Sequence, residues 1–229
     1  MKAIYLATAL LALGGLSASA QTVVNNPNNR PYFGIRASLE IPCPGDVKIG
    51  DSKHDVYKNG VGVDLGFVYN VPVVANFYIE PGINFYYNAY GIEGVNIDGK
   101  DYSSDALEHA SVRESGFRIP VSLGYHFDFT PDVSLAIFTG PELDVGFSSD
   151  RYITTKEVVG HKFHSATSNY GDKGNWNRVG CNWTFGVGFN LARNYYVEIR
   201  GAVGLVDINK SDHASFKKNR VDITLGYNF

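Results

Sequence analysis

Hydrophobic and polar residues alternate with a period of two along most of the chain. In residues 60–69, Val63 and Leu65 alternate with Gly62 and Asp64. Such alternation places every second side chain on one face of a β-strand. Eight segments show the pattern, with the apolar residues mainly on odd-numbered positions: 33–41, 60–69, 77–87, 116–127, 133–147, 178–191, 195–205 and 219–229. Each approaches or exceeds the ~9–11 residues with which a tilted strand crosses a membrane. The sequence therefore predicts eight strands able to span a bilayer.

The connections between these segments alternate between short and long. Three are short, and they cover residues 70–76, 128–132 and 192–194; four are long and polar, and they cover 42–59, 88–115, 148–177 and 206–218. Short periplasmic turns and long outer loops are typical of outer-membrane barrels. We therefore predict an all-β fold, an eight-stranded antiparallel up-and-down transmembrane β-barrel with short periplasmic turns and long extracellular loops. Loop 88–115 is expected to turn at Asp98-Gly99.

The first 20 residues have the features of a secretory signal peptide. Lys2 supplies a positive charge, residues 3–16 are apolar, and Ala18-Ser19-Ala20 forms a small-residue cleavage site. No later run of 18 or more apolar residues occurs, so no membrane helix is predicted. We expect a signal peptide over 1–20, a short lead-in over 21–31, and one barrel domain over 32–229 that reaches the bacterial outer membrane.

A soluble, lipocalin-type barrel is the main alternative for eight alternating strands. It would turn the odd-numbered apolar face inward and leave the even-numbered face in water. The even-numbered face, however, is rich in glycine: Gly62, Gly66, Gly82, Gly124, Gly140, Gly146, Gly186, Gly188, Gly204 and Gly226. Glycine weakens a strand exposed to water, whereas a narrow lumen needs small residues. The glycines therefore favour the membrane barrel, with the even-numbered face inside.

Aromatic residues, 14% of the chain, collect at the ends of the odd-numbered face. Those near the short turns are Phe33, Tyr69, Phe77, Phe127, Phe189, Tyr195 and Phe229, and those near the long loops are Phe85, Tyr87, Phe117, Phe147 and Trp183. Two aromatic girdles around an aliphatic band mark the two membrane interfaces of a barrel. The distribution supports a lipid-facing odd-numbered face.

The even-numbered face also carries charged residues, which we predict to form a network in the lumen: Arg36, Glu40, Asp64, Glu80, Arg118, His126, Glu142, Asp144, Glu198, Arg200 and Asp222. Buried ions are costly unless they pair, so a structural network is favoured over an ion path or gate. We expect two clusters. In one, Arg36 and Arg200 are expected to form ion pairs with Glu80 and Glu198. In the other, Arg118 is expected to form an ion pair with Glu142, Asp144 or Asp64. Acids outnumber arginines in this set, so the remaining carboxylates are expected to meet hydroxyls, His126, water, a bound cation or a loop lysine, or else to hold a proton.

No pattern for catalysis or for a bound cofactor emerges. His161 and His164 lack a third metal ligand, Asn96, Asp98 and Asp101 miss the calcium-loop spacing, and no Gly-x-Ser-x-Gly occurs. We predict no catalytic residue, no metal and no cofactor. The net charge of -3 gives no indication of a nucleic-acid partner. Cys43 lies just past the outer end of the first segment and Cys181 lies on the sixth. These two strands are not neighbours in the predicted barrel, so no disulfide is expected.

Several blocks resemble those of a known family. The closing residues 221–229 resemble the C-terminal signature that barrel-assembly machinery recognises, and we assign this signal to Tyr227 and Phe229. Residues 78–85, 140–147 and 197–205 resemble blocks of PorT-type barrels, part of a superfamily that includes the OmpA transmembrane domain and OmpX. The resemblance covers about 32–229 and implies a small barrel of the cell envelope. The PorT likeness implies a link to protein secretion.

The predicted function is a structural or partner-interaction role, without enzymatic activity. The long loops carry aromatic residues suited to contact surfaces: Tyr57, Tyr90, Tyr102, Tyr152, Tyr170 and Trp176. Expected partners are outer-membrane lipids, the assembly machinery, and an extracellular or envelope protein. The alternatives are a narrow channel or transport protein, a secretion-associated barrel and a membrane-embedded, lipid-modifying enzyme. Porin-like passage of large solutes is not expected, because eight strands enclose little more than their own side chains.

Overall fold

The computed structural model describes most of the chain from Arg30 onwards. The described residues are 30–49, 52–92, 95–97, 100–102, 107–156, 164–172, 174–192, 194–211 and 214–229. The predicted signal peptide, 1–20, and most of the predicted lead-in lie outside them. Among the described residues, no helix is long and apolar enough to cross a membrane.

Eight long antiparallel strands form one closed sheet. They are β1 (Tyr32–Pro44), β2 (Tyr57–Val74), β3 (Phe77–Ile92), β4 (Leu107–Thr130), β5 (Val133–Thr155), β6 (Val179–Leu191), β7 (Tyr195–Gly204) and β8 (Lys218–Asn228). Each strand pairs with the next, and β1 pairs with β8. Closure leaves no unpaired edge inside a membrane, where backbone groups cannot bond to water. The predicted eight-stranded up-and-down barrel is confirmed.

The alternation of side chains follows the prediction through the membrane band. On β2, Val63 and Leu65 point outward with 55% and 57% of their surface exposed, whereas Asp64 is buried at 6%. On β4, Phe117 is exposed and Arg118 is buried. The apolar odd-numbered face is therefore the outer wall, and the polar even-numbered face lines the lumen.

Aromatic rings pack against one another at both ends of the outer wall. At the rim with short turns, the ring centroids of Phe33 and Tyr69 lie 4.5 Å apart. At the opposite rim, Phe117 lies 5.8 Å from Phe85 and 4.8 Å from Phe147. Below, these rims are called the turn end and the loop end. Two aromatic girdles thus bound the apolar band, the inner girdle at the turn end and the outer girdle at the loop end, as barrels require at their two membrane interfaces.

Two strands run well beyond the predicted bounds at the loop end. β4 has 24 residues and β5 has 23, so much of the predicted loops 88–115 and 148–177 is strand. Above the outer girdle the outward face of these strands meets water instead of lipid and is largely polar, so hydrophobic alternation no longer marks them. The facing also changes at Phe147, an extra residue between the pairs Ser115–Ser148 and Gly116–Gly146. Such a bulge shifts the alternation by one position.

Beyond this bulge, odd-numbered Ser149 and Ile153 point inward and are buried. Short strands accompany the loop end. Val47–Ile49 pairs with Ser52–His54 and with Ala214–Ser215, and His164–Ser168 pairs with the outer part of β5. Residues 98–99, where a turn is predicted, lie outside the described residues; the flanking positions Ile97 and Lys100 pair with each other.

The turns at the opposite end are tight. β2 continues to Val74, so the predicted connection 70–76 reduces to Ala75 and Asn76. Ala75 has a left-handed φ of 49°. The Asn76 side-chain amide donates hydrogen bonds of 2.8 Å to the backbone carbonyl of His126 and to a carboxylate oxygen of Asp128. These bonds fasten the β2–β3 turn to β4.

Candidate functional site in the barrel lumen

Arg36 and Glu80 form the first ionic contact above the turn end. Nη2 of Arg36 lies 3.6 Å from Oε2 of Glu80, and Nη1 donates a 2.8 Å hydrogen bond to Oδ1 of Asn228. The Asn70 amide donates to the same Glu80 carboxylate at 3.2 Å. Both ionic side chains are buried, so each depends on these partners for solvation.

A second carboxylate, Glu198, is held on the neighbouring wall. Arg200 Nε and the Tyr196 hydroxyl each donate a 2.7 Å hydrogen bond to it. The Arg36 guanidinium lies 4.3 Å above the Tyr196 ring and thereby joins the two pairs. The structure thus brings together Arg36, Arg200, Glu80 and Glu198, which the sequence analysis placed in one cluster.

His126 lies inside the barrel near the turn end and is almost fully buried. Its ring stacks on Tyr78 with centroids 4.3 Å apart. Neither ring nitrogen has a hydrogen-bond partner within the described part of the chain. The imidazole therefore forms no hydrogen bond with a lumen carboxylate in the described part of the chain.

Arg118 on β4 organises the middle of the lumen. It contacts Glu40 of β1 closely through Nη1, and its Nε lies 3.7 Å from Oδ2 of Asp144. Its guanidinium also lies 3.8 Å above the Tyr86 ring, whose hydroxyl donates to Asp144 at 2.9 Å. Of the three predicted partners of Arg118, Asp144 is the one that contacts it. Glu40 was not among them.

Arg220 is one of the lumen residues that the sequence prediction missed. Its Nη1 and Nη2 donate to the two carboxylate oxygens of Glu142 at 2.7 and 2.6 Å, and its Nε donates to Asp222 at 2.9 Å. Such a two-pronged contact is the strongest that arginine makes with a carboxylate. Glu142, one of the three alternatives predicted for Arg118, is instead held by Arg220, which occupies both of its oxygens.

The remaining predicted acid, Asp64, meets a hydroxyl. Ser38 Oγ donates to Asp64 Oδ1 at 2.9 Å, and Ser38 also lies 2.9 Å from the Thr224 hydroxyl. Asp64, the third alternative predicted for Arg118, forms no ion pair within the described residues. A hydroxyl partner was expected for acids in excess of the arginines.

Glu114 and Lys218 join opposite walls near the loop end. Lys218 Nζ lies 2.6 Å from Glu114 Oε1, which also accepts hydrogen bonds from the Tyr90 hydroxyl at 2.9 Å and from Ser149 at 3.0 Å. Neither Glu114 nor Lys218 was predicted as a site residue, because both lie beyond the strand segments that alternation marked.

An apolar cluster, here called the cap, closes the lumen above these ion pairs. Its buried members are Tyr90, Ile92, Val112, Tyr170, Trp176, Ile208 and Phe216. Trp176 stacks on Phe216 at 5.3 Å, and Tyr57 lies 4.8 Å from Phe216. Burial raises the pKa of Tyr170 well above its usual range, so this hydroxyl stays protonated at physiological pH.

The cap corrects one expectation from the sequence. Tyr90, Tyr170 and Trp176 were expected to form contact surfaces on the loops, but they are only 3%, 6% and 5% exposed. Loop segments fold inward and bury them over the barrel mouth. These three aromatics therefore do not form the surface of the loop end.

The charges of the described lumen do not cancel. Eight carboxylates face five cations: Glu40, Asp64, Glu80, Glu114, Glu142, Asp144, Glu198 and Asp222 against Arg36, Arg118, Arg200, Arg220 and Lys218. Hydroxyl and amide donors supplement the cations. Across the described ranges, no group of three or more His, Cys, Asp or Glu residues is arranged to hold a metal ion.

The other predicted positions lie outside this network. His161 falls outside the described residues, while His164 is exposed and lies 3.1 Å from the Thr154 hydroxyl. Cys43 and Cys181 are free thiols, as expected for strands that are not neighbours. Tyr227 and Phe229 point outward in the inner girdle with ring centroids 5.1 Å apart. Their role as an assembly signal stays a prediction.

A closed, outward-apolar barrel with an ionic lumen defines a transmembrane barrel of the bacterial outer membrane. The family model described as outer membrane protein beta-barrel domain matches residues 19–210. Because the match covers most of the 229 residues, the chain belongs to this family. The family assignment confirms the predicted location in the bacterial outer membrane. Comparison of the sequence with curated proteins gives no match.

Solved outer-membrane barrels are similar to the chain in structure. Ail, the attachment invasion locus protein of Yersinia pestis, is 14% identical, with 87% of this chain and 99% of that chain covered and a TM-score of 0.39. Neisserial surface protein A is 12% identical, with 86% and 97% covered and a TM-score of 0.41. OprG from Pseudomonas aeruginosa is 13% identical, with 88% and 97% covered and a TM-score of 0.42. The assignment to the family rests on the family model.

Proposed function

We propose that the protein is a closed, non-enzymatic barrel that acts through its extracellular loop end, in a structural or partner-binding role. The observation that carries this proposal is the set of ion pairs that cross the lumen. Arg118 of β4 reaches Glu40 of β1, and Lys218 of β8 reaches Glu114 of β4. A lumen spanned by side chains at several levels has little room for solutes.

The loop end offers the surface on which a partner would bind. β4 and β5 project beyond the outer girdle, and His164–Ser168 widens their sheet by one strand. The outward side chains of this projection are largely polar, and Arg113 among them is exposed. A polar, paired sheet outside the membrane is suited to contact with an envelope or extracellular protein.

The surroundings of His126 support the absence of enzymatic activity. A catalytic histidine needs a nucleophile or a substrate proton within hydrogen-bond reach. His126 instead stacks on Tyr78 in the closed turn end, without a side-chain hydrogen bond among the described residues. A lipid-modifying active site would need such a group near the membrane interface.

The partner-binding role is tested by surface proteolysis before purification. Intact cells are treated or not treated with a broad-specificity protease, and the tagged barrel is then purified from solubilised envelopes. We expect a partner protein to co-purify in stoichiometric amount from untreated cells and not from treated cells. The reason is that the protease removes only the exposed loop residues, on which the partner would bind. Absence of any stoichiometric partner from untreated cells would contradict the role.

A narrow channel is the second candidate, and one observation favours it. The side-chain oxygens of Asn70, Asn84 and Asn88 are buried without partners among the described residues. Buried polar atoms of this kind commonly bind internal water. Steady single-channel conductance of the purified protein in a planar bilayer would favour this candidate, and a silent bilayer would favour the closed barrel.

Two narrower proposals rest on the resemblance noted in the sequence. Likeness to PorT-type barrels supports a link to protein secretion, which comparison of the secreted proteins of deletion and parent strains would test. Tyr227 and Phe229 are proposed as the signal for the assembly machinery. Phe229→Ser should slow assembly in cells but leave refolding of the purified chain in detergent unchanged.

A further inference from the structure

A recess of about 360 Å³ opens on the lipid-facing wall of the barrel. It is lined by the outward residues Ala37, Val63, Leu65, Phe85 and Tyr87, with Ser38 and Asp64 contributing to its floor. It is an open groove rather than an enclosed pocket, because Val63, Leu65, Phe85 and Tyr87 each keep about half of their surface exposed. Its position on the outer wall means that it faces the bilayer and not the lumen.

A single small side chain explains why the wall is indented here. Ala37 lies opposite Leu65 of β2 on one side and opposite Leu225 of β8 on the other. Its outward neighbours along β1, Ile35 and Leu39, are also large. Because the alanine side chain has several carbon atoms fewer than its neighbours, the outer wall is indented at this position.

Aromatic residues form the other side of the recess. Leu65 pairs with Phe85 and Val63 pairs with Tyr87 across β2 and β3. Phe85 packs edge-on against Phe117 at 5.8 Å, which holds it in the outer girdle. The recess therefore lies in the half of the membrane nearest the loop end, just below the level of the lipid headgroups.

The chemistry of the lining selects an aliphatic ligand with a polar end. The outward side chains are apolar except for the Tyr87 hydroxyl, which has no hydrogen-bond partner in the described parts of the chain. Tyrosine at a membrane interface places its ring among acyl chains and its hydroxyl among polar groups. An acyl chain joined to a carbonyl or phosphate group would pack against the apolar lining and accept a hydrogen bond from the Tyr87 hydroxyl.

We propose that this recess binds one acyl chain of an outer-leaflet lipid, with its polar linkage hydrogen-bonded to the Tyr87 hydroxyl. The recess is continuous with the lipid-facing band, so such a chain needs no route through protein. Phospholipid and lipopolysaccharide share this chemistry, and the mass of the bound molecule distinguishes them. A second copy of the chain is the competing occupant.

The test is native mass spectrometry of the barrel purified from envelopes in a mild detergent. Wild type should carry one lipid. Ala37→Leu fills the recess and should lower the bound fraction severalfold, because the added carbons take the place of part of the acyl chain and remove its packing contacts with the wall. Tyr87→Phe should lower it less. Val203→Phe, which adds similar bulk to the exposed outer face of β7, should leave it unchanged.

Several results would overturn the proposal. They are a wild type without lipid, equal lipid retention by Ala37→Leu, or a two-chain species that Ala37→Leu dissociates, which would identify a second copy as the occupant. Photo-crosslinking of wild type with a diazirine-labelled acyl lipid needs no variant to fold. Adducts on β1, β2 and β3 around Ala37, Leu65 and Phe85 support the site, and adducts spread evenly around the barrel contradict it.

Discussion

Lys218 and Glu114 meet at 2.6 Å across the barrel, although 104 positions separate them in the sequence. They lie on β8 and β4, which are opposite strands in a ring of eight. The contact therefore spans the full width of the lumen. Glu114 is almost completely buried, and its other partners, Tyr90 and Ser149, come from the neighbouring strands β3 and β5. One carboxylate thus connects four strands beneath the cap.

This connection predicts strong coupling between the two residues. Glu114→Gln and Lys218→Met should each destabilise the barrel, and the double variant should lose less than the sum of the two. We expect an interaction energy of about 0.5–3 kcal/mol, the usual range for contacting residues. Urea unfolding of the refolded protein in detergent micelles measures the cycle. Additive losses would mean that the two charges do not interact.

Arg220 should contribute more to stability than any exposed lysine. Arg220→Met removes the partner of Glu142 and Asp222 in a buried space, at a cost of about 3–5 kcal/mol. Adding Glu142→Gln should restore part of the lost stability, because it removes the carboxylate charge that Arg220→Met leaves without a partner. Lys53→Met, at an exposed loop strand, is the matched control and should change stability by less than about 0.5 kcal/mol. A similar loss for both variants would contradict the buried network.

Close packing of the strands predicts different costs for two inward-facing glycines. A Cβ atom at Gly140 would lie 2.0 Å from the backbone oxygen of Val121, whereas one at Gly180 would meet nothing nearer than 3.5 Å. Gly140→Ala should therefore cost about 1–3 kcal/mol, and Gly180→Ala should be neutral. The temperature at which each variant loses its folded mobility on SDS gels gives the comparison. Equal melting of the two variants would argue against the register of β4 and β5.

The cysteines offer a direct check of strand order. Cys43 lies on β1 and Cys181 on β6, two strands that are not paired. Both thiols should therefore react with maleimide when the unreduced protein is denatured. Protein reduced before denaturation is the control and should take up the same two labels. Labelling that appears only after reduction would reveal a disulfide.

Much of the barrel could be predicted from the sequence because its two faces meet opposite environments. Lipid outside and an ionic lumen inside impose period-two alternation, and the pattern holds up to Phe147. Above the outer girdle the outward face meets water and is largely polar, so the extensions of β4 and β5 leave no such signal. The cap was missed for a related reason, since Trp176 and Phe216 lie in polar loops and become buried only through tertiary packing.

The charged residues show where prediction from sequence ends. Parity alone would have included Arg220, an even-numbered residue inside the segment 219–229. Partners are harder to predict, because they depend on the register between strands and on reach across the lumen. Arg118 pairs along the sheet with Asn84 and Asp144, yet its closest ionic contact is Glu40 on a strand three positions away.

The permeability of the barrel tests the closed lumen most directly. Purified protein is reconstituted into liposomes, its insertion is verified by its folded gel mobility, and swelling is followed in isotonic sugars of increasing size. The ion pairs across the lumen and the cap above them predict swelling no faster than that of protein-free liposomes, even with the smallest sugar. Rapid swelling that slows with increasing sugar size would show an open pore and contradict the closed barrel.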